Sequence, residues 1–287
     1  MKKALLLLSS FLLGFYLVTP TSHACTVFGA TGSDYVQGGG TLISKVRDEI
    51  KLWQTVKTVY PKQGYAYTGL FNGKKEIFNM GINEKGLVVF RTTAGSVPKD
   101  ERKKAKRFLS SEGLRGQEFL IQNCATVDEA LKHTEIFQEP TNYMMADRNK
   151  IAYVEVHSKD NYSITVKTKG YLAHTNHYIN SDLLSYNQKI GKSSLTRLNR
   201  IQELLSNHKT CFTMNDFIAF TEDRNAGRYN SIFRIGNPEA EGYKTLSTMV
   251  IHIPEKGIPL LYLKWKDNPK NPQSWQIIQH PVTFKKN

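Results

Sequence analysis

One peptide bond constrains this chain more than any other feature, the bond between Ala24 and Cys25. Lys2 and Lys3 precede an almost unbroken apolar stretch from Ala4 to Val18, and Ser22-His23-Ala24 closes the segment with small residues at −3 and −1. This is the pattern of a secretory signal peptide, so residues 1–24 are expected to be removed and Cys25 to become the first residue of the mature chain. Such a cysteine carries a thiol and a free α-amine on one backbone unit, which pairs a nucleophile with a base without any second side chain. An α-amine ionises near pH 8, against about 10.4 for lysine, so a useful fraction is neutral at physiological pH. A thiol ionises near 8.5 and needs only modest help to become a thiolate. Cleavage would thus create the catalytic group.

Two other readings of Cys25 stand beside this one. A cysteine at +1 also marks bacterial lipoproteins, in which thiol and amine are both acylated. Their processing motif wants an aliphatic residue at −3 and a small one at −2, where this chain has Ser22 and His23. The third reading is a disulfide partner. Only Cys124 and Cys211 remain besides Cys25, and in an oxidising compartment they can pair with each other and leave Cys25 as the odd thiol.

Residues 25–287 suffice to bury a sizeable core and are read as a single domain, since no low-complexity linker, repeat or composition break divides them. The formal charge of +14 falls to +12 once Lys2 and Lys3 are removed. A basic surface attracts nucleic acid, anionic lipid or an acidic substrate. Here the charge is scattered, and its densest run, Glu101 to Arg107, reads as an exposed loop or helix start. Behind an export signal, nucleic acid is not an expected partner. No second apolar stretch approaches the roughly 20 residues that span a bilayer, so the mature chain is expected to lack an integral membrane segment and to be periplasmic or secreted.

Short β-branched or aromatic runs over 26–30, 40–46, 52–59, 65–71 and 86–93 predict strands. The period then changes, predicting a helix over 111–124 and another from Thr126, where Thr126 and Glu129 form a capping box. Strands are expected again at 143–146, 151–156, 163–168 and 171–174. Helices follow at 193–205 and 214–221, the second capped by Thr213, and then strands at 231–235, 246–253 and 259–264. This order suggests an α+β fold of two packed antiparallel sheets with helices outside, and a four-layer α/β/β/α sandwich fits it.

Cys25-Thr26 followed by Ser44-Lys45-Val46-Arg47-Asp48 resembles the start of the linear-amide C–N hydrolases. This N-terminal-nucleophile family includes bile-salt hydrolases, penicillin V acylases and isopenicillin-N acyltransferase-like proteins. The blocks Gly81-Ile82-Asn83-Glu84-Lys85-Gly86-Leu87, Ala173-His174-Thr175-Asn176-His177, Ser193-Ser194-Leu195-Thr196-Arg197 and Asn230-Ser231-Ile232-Phe233-Arg234 resemble its later segments in the family order. The resemblance implies the N-terminal-nucleophile sandwich, with Cys25 as nucleophile and base. Asp48 would hold the amine, Asn176 would donate to the oxyanion, and Arg197 would favour the thiolate. Lys45 falls where bile-salt hydrolases have arginine, and keeps the charge without the planar fork. Val46 stands where the family often has asparagine. A second oxyanion asparagine of the bile-salt enzymes falls near Thr92 or Thr93. These departures favour the acyltransferase-like branch.

The expected substrate is a small-molecule acyl amide, resolved by water or by an amine acceptor, with no cofactor and no metal. A homo-oligomer stays open. His174 and His177 lack the cysteine or carboxylate neighbours a metal site would show in sequence, and His177 is a substrate-lining or oxyanion candidate. A Cys-His pair using His174 is the alternative catalytic arrangement.

Overall fold

Two antiparallel sheets lie face to face in the computed structural model, which describes residues 24–50, 52–237, 242–271 and 273–284. Apart from Ala24, the expected signal peptide lies outside the described residues. The first sheet contains β1 (Ala24–Thr31), β2 (Thr41–Glu49), β10 (Gly170–His174), β11 (Lys244–Ile253), β12 (Leu260–Lys266) and β13 (Trp275–Pro281), ordered β10-β1-β2-β11-β12-β13. The second runs in chain order through β3 (Gln54–Val59), β4 (Tyr67–Asn72), β5 (Ile77–Asn83), β6 (Val88–Thr93), β7 (Thr141–Ala146), β8 (Ile151–Ser158) and β9 (Asn161–Lys167).

The core between the sheets takes alternate residues from both, among them Val27, Ile43, Met80, Phe90, Met144 and Met249. The opposite faces bury against helices. α2 (Gly116–Asn123) and α3 (Val127–Lys132) cover the second sheet through Leu120, Ile121 and Val127. α4 (Lys192–Asn207) and α5 (Met214–Thr221) cover the first through Ile201, Leu205 and Phe217. This is the expected four-layer sandwich. A short exposed helix, α1 (Lys99–Lys104), takes up the basic run, and no helix among the described residues is long and apolar enough to cross a membrane.

Side-chain caps fix the starts of α5 and α3. Thr213 accepts from the Asp216 N–H while the Asp216 carboxylate takes the Thr213 N–H, a complete capping box. Thr126 caps α3, but Glu129 reaches back one residue further, to the Ala125 N–H.

Three expectations need correction. Ser231–Ile235 is not a strand: the Phe233 N–H bonds to the Asp223 carbonyl, and the Arg234 backbone bonds to Thr245 without extending into a ladder. β5 and β13 are additional strands. Cys124 and Cys211 are not paired; Cys124 is buried under α2, and Cys211 faces the carbonyls of Ser33 and Asp34 near the helices of the opposite layer. Burial pushes the Cys124 thiol up to about 12, which makes it inert.

The block from Gly81 to Leu87 is structural. A Cβ on Gly81 would meet the Thr68 carbonyl oxygen at 2.1 Å, so β4 and β5 approach closely only with glycine there. Asn83 accepts from the N–H groups of Lys85 and Leu87 and donates to the carbonyls of Ile121 and Cys124, fastening the β5–β6 turn to α2. Asn83→Ala strands these buried groups and is expected to cost about 2–4 kcal/mol of stability. Urea denaturation measures it, and an unchanged midpoint would contradict this role.

Candidate active site

The site forms where the core between the sheets gives way to polar residues at one end of β1 and β2. Across these strands Ala24 lies opposite Asp48, Cys25 opposite Arg47 and Val27 opposite Lys45. Strand alternation puts Cys25, Lys45 and Arg47 on the face toward the second sheet, with the core residues Val27 and Ile43. Thr26 and Asp48 point the other way, toward α4. The nucleophile candidate therefore opens between the sheets while its backbone is gripped from behind.

That grip comes from α4 and from the turn after β10. Asn176 Oδ1 accepts the Cys25 backbone N–H at 2.8 Å and an Arg197 Nη2 hydrogen at 3.0 Å. Arg197 Nη1 donates to the Cys25 carbonyl at 2.6 Å and to Thr26 Oγ1 at 2.8 Å. Asn176 Nδ2 donates to the Thr93 carbonyl at 2.9 Å, which leaves its second hydrogen for another acceptor. Two donors meet Oδ1, so exchanging the amide's oxygen and nitrogen would set NH₂ against them both. Burial pulls Arg197 down to about 10, and it remains charged at neutral pH.

Sequence reasoning assigned no roles to the serines that hold this turn. Ser193 Oγ accepts from Arg197 Nε, and Ser194 Oγ accepts the Asn176 N–H and contacts Thr175 Oγ1 and His177 Nδ1. Both stand in the first turn of α4, so the block Ser193 to Arg197 acts as one bracket. Burial, then His174, lowers His177 to about 4, leaving it neutral. His174 stands opposite Val27, on the same inter-sheet face as Cys25, but its ring is held between Tyr153 OH at 2.7 Å and Glu155 Oε1 at 2.8 Å. Neither histidine bonds to Cys25 among the described residues. Glu155 also accepts the N–H groups of Ile179 and Asn180, bracing the same turn; burial pushes its carboxyl up, but His174 and these donors outweigh that and hold it low.

Asp48 is fully buried beneath the strand end. Its Oδ1 accepts from Thr245 Oγ1 at 2.8 Å, and its Oδ2 lies 3.5 Å from Arg234 Nη1 with no hydrogen bond. Burial raises its pKa, against the opposing charges of Arg234 and Arg197. Thr245 is a partner that sequence alone did not single out, and Arg234 was marked only as part of a block, without this role.

Lys45 has no exposed surface. Its Nζ donates to Asn79 Oδ1 at 2.8 Å and to the Arg91 carbonyl at 2.7 Å. Burial brings it down to about 7, with Cys25 pulling the other way. Between pH 7 and about 10 the unfolded chain keeps a proton on this lysine that the folded chain has lost, so stability rises with pH over that window. A tenfold difference in proton affinity between the two states corresponds to about 1.4 kcal/mol. Lys45→Met is expected to remove most of this rise, read from unfolding curves at pH 6.5 and 9.5; an unchanged slope would sink the assignment.

Cys25, Lys45, Thr92 and Thr93 line a cleft of about 400 Å³ between the sheets. Thr92 Oγ1 lies 3.4 Å from Tyr153 OH. Among the described residues, no three or more His, Cys, Asp or Glu side chains gather as a metal site would require.

Residues 49–262 match the model of the acyl-coenzyme A:6-aminopenicillanic acid acyl-transferase family. That match begins one residue after Asp48 and so does not include Cys25. The fold is similar to a mutant conjugated bile acid hydrolase from Clostridium perfringens, with TM-score 0.50 and 14% identity over 91% of this chain and 97% of that one. A penicillin V acylase from Agrobacterium tumefaciens aligns with TM-score 0.49 and 16% identity over 90% of this chain and 86% of that one. An N-acylethanolamine-hydrolyzing acid amidase ortholog from Caenorhabditis elegans aligns with TM-score 0.46 and 14% identity over 88% and 100%. No curated protein sequence matches the chain.

Proposed function

Because the chain belongs to the acyl-coenzyme A:6-aminopenicillanic acid acyl-transferase family, we propose that it is an exported N-terminal-nucleophile enzyme cleaving a linear amide through Cys25. The observation that carries this reading is the grip on the Cys25 backbone. Asn176 holds its nitrogen, Arg197 holds its carbonyl, and its side chain opens into the cleft. Removal of Ala24 turns that nitrogen into an amine with more hydrogens than Asn176 can accept. The Oδ2 of Asp48, on the residue opposite Ala24 and without a hydrogen bond beside Arg234, supplies a second acceptor.

In the proposed reaction the α-amine takes the thiol proton and the sulfur attacks the amide carbonyl. The second Asn176 Nδ2 hydrogen and backbone N–H groups stabilise the oxyanion. The α-ammonium then protonates the leaving nitrogen, the C–N bond breaks and a thioester remains. Water, losing a proton to the same amine, attacks the thioester, and the proton returns to sulfur as the acid leaves. Lys45, when protonated, supports negative charge on the sulfur, and that charge in turn favours its proton.

Intact-mass analysis of exported protein tests the first requirement, an unmodified Cys25 at the N-terminus. A diacylglyceryl increment there would end this reading and favour a lipoprotein binding module. Incubation with N-acyl amines, penicillin V and conjugated bile acids tests the second, through amine release and an acyl increment on Cys25. The family's name favours a second outcome, in which an amine instead of water resolves the thioester; adding amine acceptors and measuring amide against acid product separates the two.

A further inference from the structure

The cleft is far more basic than an acyl-thioester mechanism requires. Eight lysines and arginines line it against three carboxylates, and its apolar lining is limited to Leu52, Ile77, Phe78 and Pro140 apart from Cys25. Such walls suit neither a long aliphatic chain nor a fused-ring hydrocarbon, which need continuous apolar contact. The cations are also concentrated. Arg91, Arg107, Arg115, Gln117 and Glu139 line both this cleft and an adjoining recess of about 220 Å³.

Within that group a single carboxylate stands among three guanidinium groups. Glu139 Oε1 takes Arg91 Nη2 at 2.8 Å, and Oε2 takes Arg107 Nε at 2.9 Å. Both its oxygens are engaged. The Arg115 guanidinium has no hydrogen-bond or ion-pair partner among the described residues, and Gln117 Nε2 is already bonded to the Phe78 carbonyl. Burial and then the charges of Arg91 and Arg107 lower the Arg115 pKa, a sign of crowded cations that a bound anion would relieve. Arginine is also the side chain best shaped to take a carboxylate with two parallel hydrogen bonds.

We propose that Arg115, with Arg91 and Arg107, forms an anion subsite, so that the substrate is a small polar amide bearing a carboxylate remote from the scissile bond. The identity of the scissile amide rests on the hydrolase reading above; the anion subsite does not. The carboxylate belongs either to the acyl half, as in the half-amide of a dicarboxylic acid, or to the amine half, as in an N-acyl amino acid.

Two matched pairs of probes decide this: glutaryl against butyryl p-nitroanilide, and N-butyryl-glutamate against its dimethyl ester. Binding is measured by calorimetry on mature Cys25→Ala protein, and turnover on the wild type. The carboxylate member of at least one pair is expected to bind about 10–100-fold more tightly, as charge-assisted hydrogen bonds to arginine allow. The pair that discriminates identifies the half that carries the charge. The preference should shrink in 0.5 M salt and collapse toward unity in Arg115→Met, whose thermal unfolding checks that it is folded. Lys159→Met, an exposed cation outside the cleft, controls for net charge and should keep the preference.

Equal binding within both pairs, or a preference that survives Arg115→Met, overturns the subsite. Discrimination in binding with no turnover of any amide upholds the subsite and removes the hydrolase reading. Turnover without discrimination does the reverse.

Discussion

Replacing Cys25 with alanine is expected to abolish amide turnover and leave the fold intact. Sulfur is the only protein atom in the proposed reaction that forms a covalent bond to the acyl group, and no neighbouring side chain offers a substitute. Lys45 is committed to Asn79 and to the Arg91 carbonyl, and Thr92 and Thr93 lack a base. The folding cost is small because the grip on this residue is made with its backbone. The bonds from Asn176 and Arg197 reach its nitrogen and carbonyl, which alanine retains. Cys25→Ser is expected to keep a trace of activity, since an alcohol is far less ionised than a thiol near neutral pH. A chain that retains the leader should be silent too, because an amide nitrogen is not a base. Initial rates on purified, mass-verified protein measure all three. Full activity in Cys25→Ala would refute the mechanism outright.

Asn176→Ala is expected to lower kcat by about 10²–10³, or roughly 3–4 kcal/mol. The side chain has two tasks. Its Oδ1 holds the nucleophile's nitrogen, and its second Nδ2 hydrogen is available to the oxyanion. Neither task involves binding the rest of the substrate, so KM should move little. Asn176→Asp separates the tasks: an acceptor for the Cys25 nitrogen survives, but the new oxygen meets the Thr93 carbonyl and any developing oxyanion. It should be at least as damaging as alanine if oxyanion donation dominates, and clearly milder if holding the amine dominates. His177→Ala is the comparison. That imidazole is neutral and turned to Ser194, so its loss should change kcat much less. A large loss there beside near-normal Asn176→Ala would transfer the role to His177.

The layers were legible because each strand's apolar residues recur on one or both faces. Leu246 to Ile253 read as a buried strand and form most of β11, flanked by β2 and β12. β5 was hidden because Asn79, Gly81 and Asn83 look like turn residues, although Gly81 is there to let β4 come close. β13 was hidden because Gln276, Gln279 and His280 suit an exposed edge, where polarity conceals strand character. Ser231 to Ile235 carries strand-like residues, but its backbone bonds go to Asp223 and Thr245.

At the site, residue types and their order suggested which side chains matter, and their partners were beyond reach. Arg197 meets the Cys25 carbonyl across 172 positions of sequence, and Asp48 meets Thr245 across 197. No local pattern encodes such distances. The arginines of the cleft were visible only as part of a scattered charge, because β6 supplies Arg91 while the segment leading into α2 supplies Arg107 and Arg115.

The position of Ala24 sets a timetable for making this protein. The Ala24–Cys25 bond lies inside β1, with Ala24 and Cys25 laddered against Asp48 and Arg47 and both almost fully enclosed. The bond's N–H is claimed by Asn176, and the next carbonyl is claimed by Arg197. A peptidase needs its target segment loose and extended in its own groove, and this one is already spoken for. Under the proposed processing, the leader must therefore come off before β1 docks onto β2. A precursor that folds first would bury its own cutting point and persist as a well-formed but inert molecule, so the two events run as a race that folding has to lose.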